Sequence, residues 1–460
     1  MINSTETIAA ISTAMNNSGI GIVRISGDDA FNIIKKIFKP AKDKDLSEVA
    51  SHTVHYGNIV DDGEVVDEVL VLIMKGPHTY TKEDTVEIDC HGGMYVLNKT
   101  LELVIKNGAR VAEPGEFTKR AFINGRIDLS QAEAVIDVIN SENDFALKSA
   151  LSQLKGSISE KIKAKRAILL EQIAYIEAAL DDPEHIEMEG YGEKLLPIIN
   201  SCIEDIDELI KSADDGRIIK EGIKTVILGK PNVGKSSLLN ALLGTDRAIV
   251  TDIAGTTRDA LEESLRINDV TLNIIDTAGI RNTEDVIEKI GVDKAKDYAK
   301  EADLIVFVVD VSRPLDEDDF EIIDIIKNKK AIALLNKSDL PQKADIQKMY
   351  KRLGDIKVLK TSIVKNEGLD EFANTVKEMF YNKDINFNDQ VYITNMRQKA
   401  ALIAAKESLQ KAVSSIDDGM SEDFYTIDLM DGYTQLGIVI GEAIEDDLAD
   451  EIFSKFCMGK

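Results

Sequence analysis

Over residues 1–120, short runs with the two-residue alternation of half-buried strands, such as 65–74 and 85–90, mix with stretches of helical spacing. That mixture predicts a compact α/β unit. The period then changes. Val135, Ile139, Leu151, Leu154, Ile158, Ile162, Leu169, Ile173 and Ile176 recur at the spacing that lines one face of a helix; the pattern breaks near Pro183 and resumes over 195–210. These positions predict long helices whose apolar stripes pack on one another, and no ligand is needed to explain them. Strand and helix alternate over 218–382, and helical spacing returns from Met396 to Phe456.

The expected architecture is therefore multidomain, α/β plus α. An N-terminal α/β domain occupies 1–120, and the first part of a helical bundle occupies 121–217. A doubly wound, mostly parallel sheet of the Ras-like kind occupies 218–382, and the second part of the bundle occupies 383–460. The second α/β domain would thus be an insertion into the bundle.

Composition narrows this picture. At 460 residues the chain is too long for one ordinary core, and 44% hydrophobic residues support folded domains. There is no apolar run long enough to span a bilayer, and the opening residues lack the basic and apolar parts of an export signal, so a soluble cytoplasmic protein is expected. The three cysteines, Cys90, Cys202 and Cys457, form no Cys-x-x-Cys pair, which argues against a thiolate metal site and fits a reducing compartment. Cys90 and His91 are adjacent, so strand alternation points them to opposite faces and makes them a poor metal pair. A net charge of −27 excludes the global basic field of an autonomous nucleic-acid binder. A local basic group, Lys119, Arg120, Lys161, Lys163, Lys165 and Arg166, is either a phosphate contact or a solvated helix face.

Chemistry is densest in the middle of the chain. Gly229-Lys230-Pro231-Asn232-Val233-Gly234-Lys235-Ser236 follows the apolar run 225–228 and precedes a helical stretch that opens at Ser237. Strand, glycine loop and helix in that order cradle phosphates: backbone N–H groups converge on oxygens at the helix N-terminus, Lys235 reaches the β and γ phosphates, and the Ser236 hydroxyl binds Mg²⁺. Asn336-Lys337-Ser338-Asp339 ends a second apolar run, at the carboxyl end of a strand, where open α/β sheets bind ligands. There Asp339 can accept from both the N1–H and the 2-amino group of guanine, which selects GTP over ATP. Asn336, Lys337 and Ser362 complete the expected base end, Ser362 as a weaker support because Ile363 and Val364 replace the Ala-Lys usual in GTPases.

Asp276-Thr277-Ala278-Gly279 supplies the rest of a hydrolase frame, with Asp276 holding Mg²⁺ through water and the Gly279 N–H meeting the γ phosphate. The next residue is Ile280, which has no polar atom to orient water, so hydrolysis needs another arrangement. Two features can supply it. Asn232 carries an oxygen able to hold a monovalent cation, potassium being the candidate, beside the phosphates. Thr251, Asp252, Ile253, Ala254, Gly255, Thr256, Thr257 and Arg258 form a switch-type loop, with Thr257 suited to Mg²⁺ and carbonyls available to the cation. Arg258 is either an arginine finger in cis or an ion-pair partner.

The order of these motifs, with the terminal Phe456-Cys457-Met458-Gly459-Lys460, resembles the tRNA-modifying GTPase family called MnmE or TrmE. The similarity extends to the N-terminal part: the run from Gly19 to Gly27, Tyr80-Thr81-Lys82-Glu83-Asp84 with Cys90-His91-Gly92-Gly93, and the run from Glu113 to Phe122 continuing through Arg126 to Leu129. The resemblance implies Mg²⁺ on Ser236 and Thr257, potassium on Asn232, Thr251, Ile253 and Thr256, and Glu288 as the group that orients water in place of the Ras glutamine. It implies contacts to 5-formyl- or 5,10-methylene-tetrahydrofolate from Arg24, Glu83, Arg126 and Lys460, in an N-terminal domain that also dimerises. Cys457 takes part in the modification chemistry or is a plain exposed thiol. The implied activity is GTP hydrolysis by a homodimer that works with the FAD-dependent MnmG protein on the wobble uridine of tRNA. Two other readings stand beside it. A ribosome-assembly GTPase of the Era or Der type shares the Asn-bearing phosphate loop but predicts a basic RNA-binding appendage with a Gly-x-x-Gly loop, which this sequence lacks; a folate-binding scaffold would use its GTPase for regulation only.

Overall fold

A computed structural model describes residues 6–42, 45–46, 48–186, 188–243, 263–267, 270–275, 292–381, 392–442, 446–457 and 459. The chain divides into two compact units, one made of Met1–Ile136, Gln153–Glu204 and Ala400–Lys460, the other of Asp137–Ser152 and Asp205–Lys399.

The first unit holds a seven-stranded sheet of β1 (Ile8–Ile11), β2 (Gly21–Ser26), β3 (Phe38–Pro40), β4 (Thr53–Asp61), β5 (Glu64–Met74), β6 (Thr85–Cys90) and β7 (Arg110–Val111), in the order β3-β4-β5-β6-β2-β1-β7. All neighbours are antiparallel except β1 and β7. Helices α1 (Ala30–Ile37) and α2 (Met94–Lys106) lay Ile33, Ile34, Ile37, Leu97 and Val104 against Val23, Ile25, Val71 and Ile88 of the sheet. Because successive strand residues point to opposite faces, Arg24 and Ser26 are turned away from that core. They face α3 (Glu116–Ile123), whose Phe117 is buried against Ile8 and Ala10.

What reads as one apolar series over 129–180 is three helices, α4 (Leu129–Ile139), α5 (Asp144–Leu154) and α6 (Ser157–Asp181). The first break is made by Asn143, whose side chain accepts from the Ala146 amide and so restarts the helix. In α6, Ile158, Ile162, Arg166, Leu169, Ile173 and Ile176 are buried at intervals of three and four. α7 (Tyr191–Glu221) begins four residues before the apolar spacing resumes, at a tyrosine stacked on Tyr175 at 4.7 Å and donating to Gln172 at 2.8 Å. That start depends on a tertiary contact, to which periodicity is blind.

The second unit holds β8 (Ile223–Leu228), β9 (Glu263–Ile267), β10 (Val270–Ile274), β11 (Leu304–Asp310), β12 (Ala331–Asn336) and β13 (Lys357–Lys360) in the order β13-β12-β11-β8-β10-β9. The sheet is parallel apart from the edge strand β9. α8 (Lys235–Leu243) and α12 (Leu369–Phe380) cover one face, with Leu238, Leu239, Leu242, Phe372 and Val376 buried there. α9 (Val292–Glu301), α10 (Glu317–Ile326) and α11 (Ile346–Leu353) cover the other, with Ala299, Ile323, Ile326, Met349 and Leu353. Burial on both faces is why β11 and β12 are buried at every residue and read as unbroken apolar runs.

The chain closes with α13 (Met396–Asp417), α14 (Glu422–Ile440) and α15 (Asp446–Ser454). α14 packs along α6 through its buried Leu429, Leu436 and Val439 face. The fold is thus multidomain, α/β plus α, as the patterning predicts. No helix among the described residues is long and apolar enough to cross a membrane.

Candidate active site

β8 runs straight into the glycine loop and α8 leaves it, so the first N–H groups of α8 point back into the loop. Gly234 stands at φ +106, and a Cβ there would drive into the Asn336 side-chain amide, so only glycine fits. Asn232 adopts φ +60, a left-handed conformation that asparagine tolerates better than most side chains. Lys235 arches over the loop and donates from Nζ to the carbonyls of Gly229 and Lys230, each at 2.8 Å.

The expected base end is wired to the expected phosphate end. Asn336 donates from Nδ2 to the Val233 carbonyl at 2.7 Å and accepts at Oδ1 from the Ile363 amide, so one buried side chain ties the glycine loop, the end of β12 and the turn after β13 together. Lys337 sits at φ +61, an uncommon conformation for a lysine, and its ammonium is held by the Asn232 carbonyl at 2.9 Å and Asp310 Oδ2 at 2.6 Å. Burial pushes the Asp310 carboxyl up, but hydrogen bonds from Lys337 and Ser312 outweigh it and hold Asp310 below the usual carboxylate range.

Asp339 is exposed and accepts the Ser362 hydroxyl at 2.7 Å, which lowers its pKa and keeps it ionised. Ser362 is itself fully buried, so its role here is to orient Asp339. The carboxylate therefore faces solvent at the carboxyl end of a parallel strand with one oxygen pinned, an arrangement suited to accepting two parallel N–H bonds from a planar base. Val233 is buried, and Ser236 and Ser237 open α8 beside Lys235.

Sequence reasoning missed two supports. Asp310, which ends the apolar run of β11, is the carboxylate that fixes Lys337; an acid closing a buried strand was the available signal. Lys230, inside the loop, pairs with Asp316, the residue that caps α10, and with Asp318 at 3.4 Å. Nothing local in the sequence announces that contact.

In the first unit, Arg24 donates from Nε to Glu87 at 2.7 Å and from Nη1 to the Gly459 carbonyl at 3.3 Å, and lies 5.6 Å from the Phe117 ring centroid. Ser12 donates to the same carbonyl at 3.1 Å, and a Cβ on Gly459, at φ +85, would strike the Ile11 carbonyl. The tail is thereby stitched beside β1 and β2. Glu83 accepts from Ser26 Oγ at 2.7 Å and from Arg120, whose Nη1 reaches both of its oxygens at 3.2 and 3.1 Å. Arg24 and Glu83 thus share the sheet face that carries Ser26. Arg126 stacks on Tyr80 at 4.7 Å and lines a cavity of 490 Å³ with Tyr80, Lys82, His52 and His78, a cavity that neither Arg24 nor Glu83 lines.

Thr251, Asp252, Ile253, Ala254, Gly255, Thr256, Thr257, Arg258, Asp276, Thr277, Ala278, Gly279, Ile280, Glu288, Met458 and Lys460 lie outside the described residues.

The family model for the MnmE helical domain matches residues 129–457, and that for the GTP-binding protein TrmE N-terminus matches residues 7–126. The tRNA modification GTPase MnmE of Lachnoclostridium phytofermentans is 56% identical over 99% of this chain and 100% of its own length. The chain belongs to the MnmE family. Members from Thermoanaerobacter pseudethanolicus and Clostridioides difficile are 52% and 48% identical, each over 99% of both chains. Among solved structures, the G domain of the FeoB iron transporter of T. maritima aligns at 31% identity over 35% of this chain and 99% of that one, with a TM-score of 0.25. With the nucleotide loop and the family both in place, this MnmE-family chain is a GTP hydrolase.

Of the basic group singled out in the sequence, Lys161 and Lys163 are exposed and Lys165 is half-buried on α6, as a solvated helix face would have them, but the other three are not a surface patch. Lys119 pairs with Asp450, Arg120 with Glu83 and Glu116, and Arg166 with Glu442 beneath the Tyr433 ring; all three are buried. Helical spacing hid this because Asp450, Glu83 and Glu442 lie far along the chain; only Glu116, one turn before Arg120, is a near neighbour.

The cysteines separate cleanly. Burial pushes the Cys90 thiol up to about 12, Cys202 is buried, and Cys457 is exposed. Among the described residues no cluster of His, Cys, Asp and Glu is arranged to hold a metal ion, and His91 is instead paired with Asp67 at 2.6 Å. Native alkylation with iodoacetamide is expected to modify Cys457 alone, with Cys90 and Cys202 reacting only after denaturation; peptide mass mapping checks it.

Proposed function

We propose that GTP hydrolysis by this chain, together with an FAD-dependent MnmG-type protein, drives the addition of an aminomethyl or carboxymethylaminomethyl group at carbon 5 of the wobble uridine of certain tRNAs, in the cytoplasm. The observation that carries the reading is kinship along the whole chain with tRNA modification GTPases, at 56% identity over 457 residues. The one-carbon unit comes from 5-formyl- or 5,10-methylene-tetrahydrofolate.

In this reading Ser236 and Thr257 hold Mg²⁺ with Asp276 behind them, and Asn232, Thr251, Ile253 and Thr256 hold potassium. Lys235 and the Gly279 amide meet the γ phosphate, and Glu288 orients the attacking water, the part that Ile280 cannot play. The remaining switch residues, Asp252, Ala254 and Gly255, with Thr277 and Ala278, line the phosphates. Arg24, Glu83, Arg126 and Lys460 hold the folate in an N-terminal domain that also pairs two chains. Arg24 supports this reading: of its five N–H groups, two are used by Glu87 and Gly459, which leaves three for a keto or carboxylate oxygen. Cys457 lies exposed on the tail that Arg24 holds, where it can act in the modification chemistry. An acidic chain of net charge −27 fits a division of labour in which the partner carries most tRNA contacts.

Mass spectrometry of tRNA nucleosides from cells lacking the gene tests the reading. Loss of the wobble modification is expected, and intact modification overturns it. With the purified protein, hydrolysis is expected to be faster in potassium than in sodium salts; equal rates would remove the cation from the mechanism.

A further inference from the structure

Between Lys411 and Lys455 the sequence contains twelve carboxylates and no Lys, Arg or His. α14 crosses the middle of this stretch and is apolar on two sides. One side, with Tyr425, Leu429, Leu436 and Val439, is buried. The other exposes Phe424 (59%), Ile427 (68%) and Met430 (48%), and Met420 is exposed in the turn just before the helix. Steps of three and four residues place these side chains on one stripe. Exposed apolar residues scattered singly are ordinary, but a contiguous stripe is the mark of an interface.

The rim of the stripe is acidic. Asp423 and Asp431 are exposed on the same face, Asp417 and Asp418 are exposed before the helix, and Glu422 and Asp428 flank it. Burial raises the Asp428 carboxyl, Lys411 opposes that, and the neighbouring charge of Asp431 adds to it, so a cation brought to this flank would relieve an existing repulsion. No residue assigned above to nucleotide or folate lies on α14.

The charges decide what can cover the stripe. A second copy of the same face would set Asp423 and Asp431 against carboxylates, and RNA or an anionic membrane would bring phosphates to the rim; each arrangement is repulsive. An amphipathic helix with Leu-like side chains in the middle and Lys or Arg on both flanks meets both the stripe and the rim. We propose that the exposed face of α14 docks a partner protein through a basic amphipathic helix. The proposal goes beyond the tRNA chemistry and does not depend on it.

A fluorescent Lys/Leu peptide of about 18 residues, long enough to span the stripe at ~1.5 Å per residue, probes the face on the full-length chain by anisotropy. A control peptide has the same composition, rearranged so that no face is apolar. The amphipathic peptide is expected to bind at least about tenfold more tightly than the control, a difference of the size that a few buried apolar anchors give. Phe424→Ser with Ile427→Ser should abolish that preference, while Asp418→Lys with Asp423→Lys should weaken both peptides and flatten the salt dependence. Basal GTP hydrolysis stays unchanged in every variant, which shows that the chain is folded. Equal binding of the two peptides, or a preference that survives the Ser variant, overturns the proposal. So does self-association of the wild type, by sedimentation velocity, that disappears in the Ser variant, since the face would then belong to a second copy. If the peptide preference holds but tRNA modification proves intact in cells lacking the gene, the docking face stands and the proposed reaction falls.

Discussion

Replacing Asp339 with Asn is expected to weaken GTP binding about a hundredfold or more and to turn the site toward xanthosine triphosphate. In the proposed site the carboxylate accepts from two guanine donors, and each charge-assisted bond of that kind contributes about 1.5–3 kcal/mol, so losing the pair would cost at least two powers of ten. Xanthine carries a carbonyl where guanine carries its 2-amino group, and the Asn amide can donate to it. The fold should not respond, because Asp339 is exposed and the Ser362 hydroxyl can donate to an amide oxygen as it does to the carboxylate. Calorimetry with the two nucleotides checks this, and an unchanged GTP affinity would remove Asp339 from base recognition. The sign of the pH dependence follows from the same contact. Ser362 holds the Asp339 carboxyl below the usual carboxylate range, so the binding form persists as pH falls into that range and is lost only below it.

The parts of this fold that could be read from the chain are those set by near neighbours. The strand expected over 85–90 is β6, and the one expected over 65–74 is β5 with a single residue added. The glycine loop stands between β8 and α8 because a buried apolar run, a turn that needs positive φ and a helix start are all local patterns. What could not be read is pairing across distance. Asp310 and Lys337 are 27 positions apart, Glu83 and Arg120 are 37 apart, and Arg24 and the Gly459 carbonyl are 435 apart. Spacing along a helix reports which face a residue shares and not what lies opposite it, so Lys119, Arg120 and Arg166 read as phosphate contacts or a solvated face and their carboxylate partners stay hidden. The start of α7 at Tyr191 could not be read because its first turn is held by Tyr175 and Gln172 of α6 and carries no apolar period of its own.

Arg120 gives that lesson an energetic form. Its side chain is 5% exposed, and its guanidinium bridges Glu83, at 13%, to Glu116, at 2%, while donating to the Glu6 carbonyl at 2.8 Å. Cutting Arg120 back to Ala leaves Glu83 with only the Ser26 hydroxyl as a side-chain donor among the described residues, although Arg110 still serves Glu116 at 2.7 Å. Removing one member of a buried ion network is expected to cost about 3–5 kcal/mol. A chain with two units need not unfold in one step, so the loss is better read by hydrogen exchange over β6 and α3 in the full-length protein than by one melting temperature. Burial works to raise the Glu116 carboxyl, but Arg110, the Glu113 amide and Arg120 hold it low. A carboxyl held low stabilises the fold above its unfolded pKa, and that contribution goes as pH falls through the lower folded value. The wild type should therefore keep its protection as pH falls into the usual carboxylate range, and Arg120→Ala should lose it at a higher pH. Pairing Arg120→Met with Glu83→Gln removes both charges and should recover much of the protection. If Arg120 were only a surface cation awaiting phosphate, the single variant would exchange like the wild type at every pH, and the double variant would have nothing to restore.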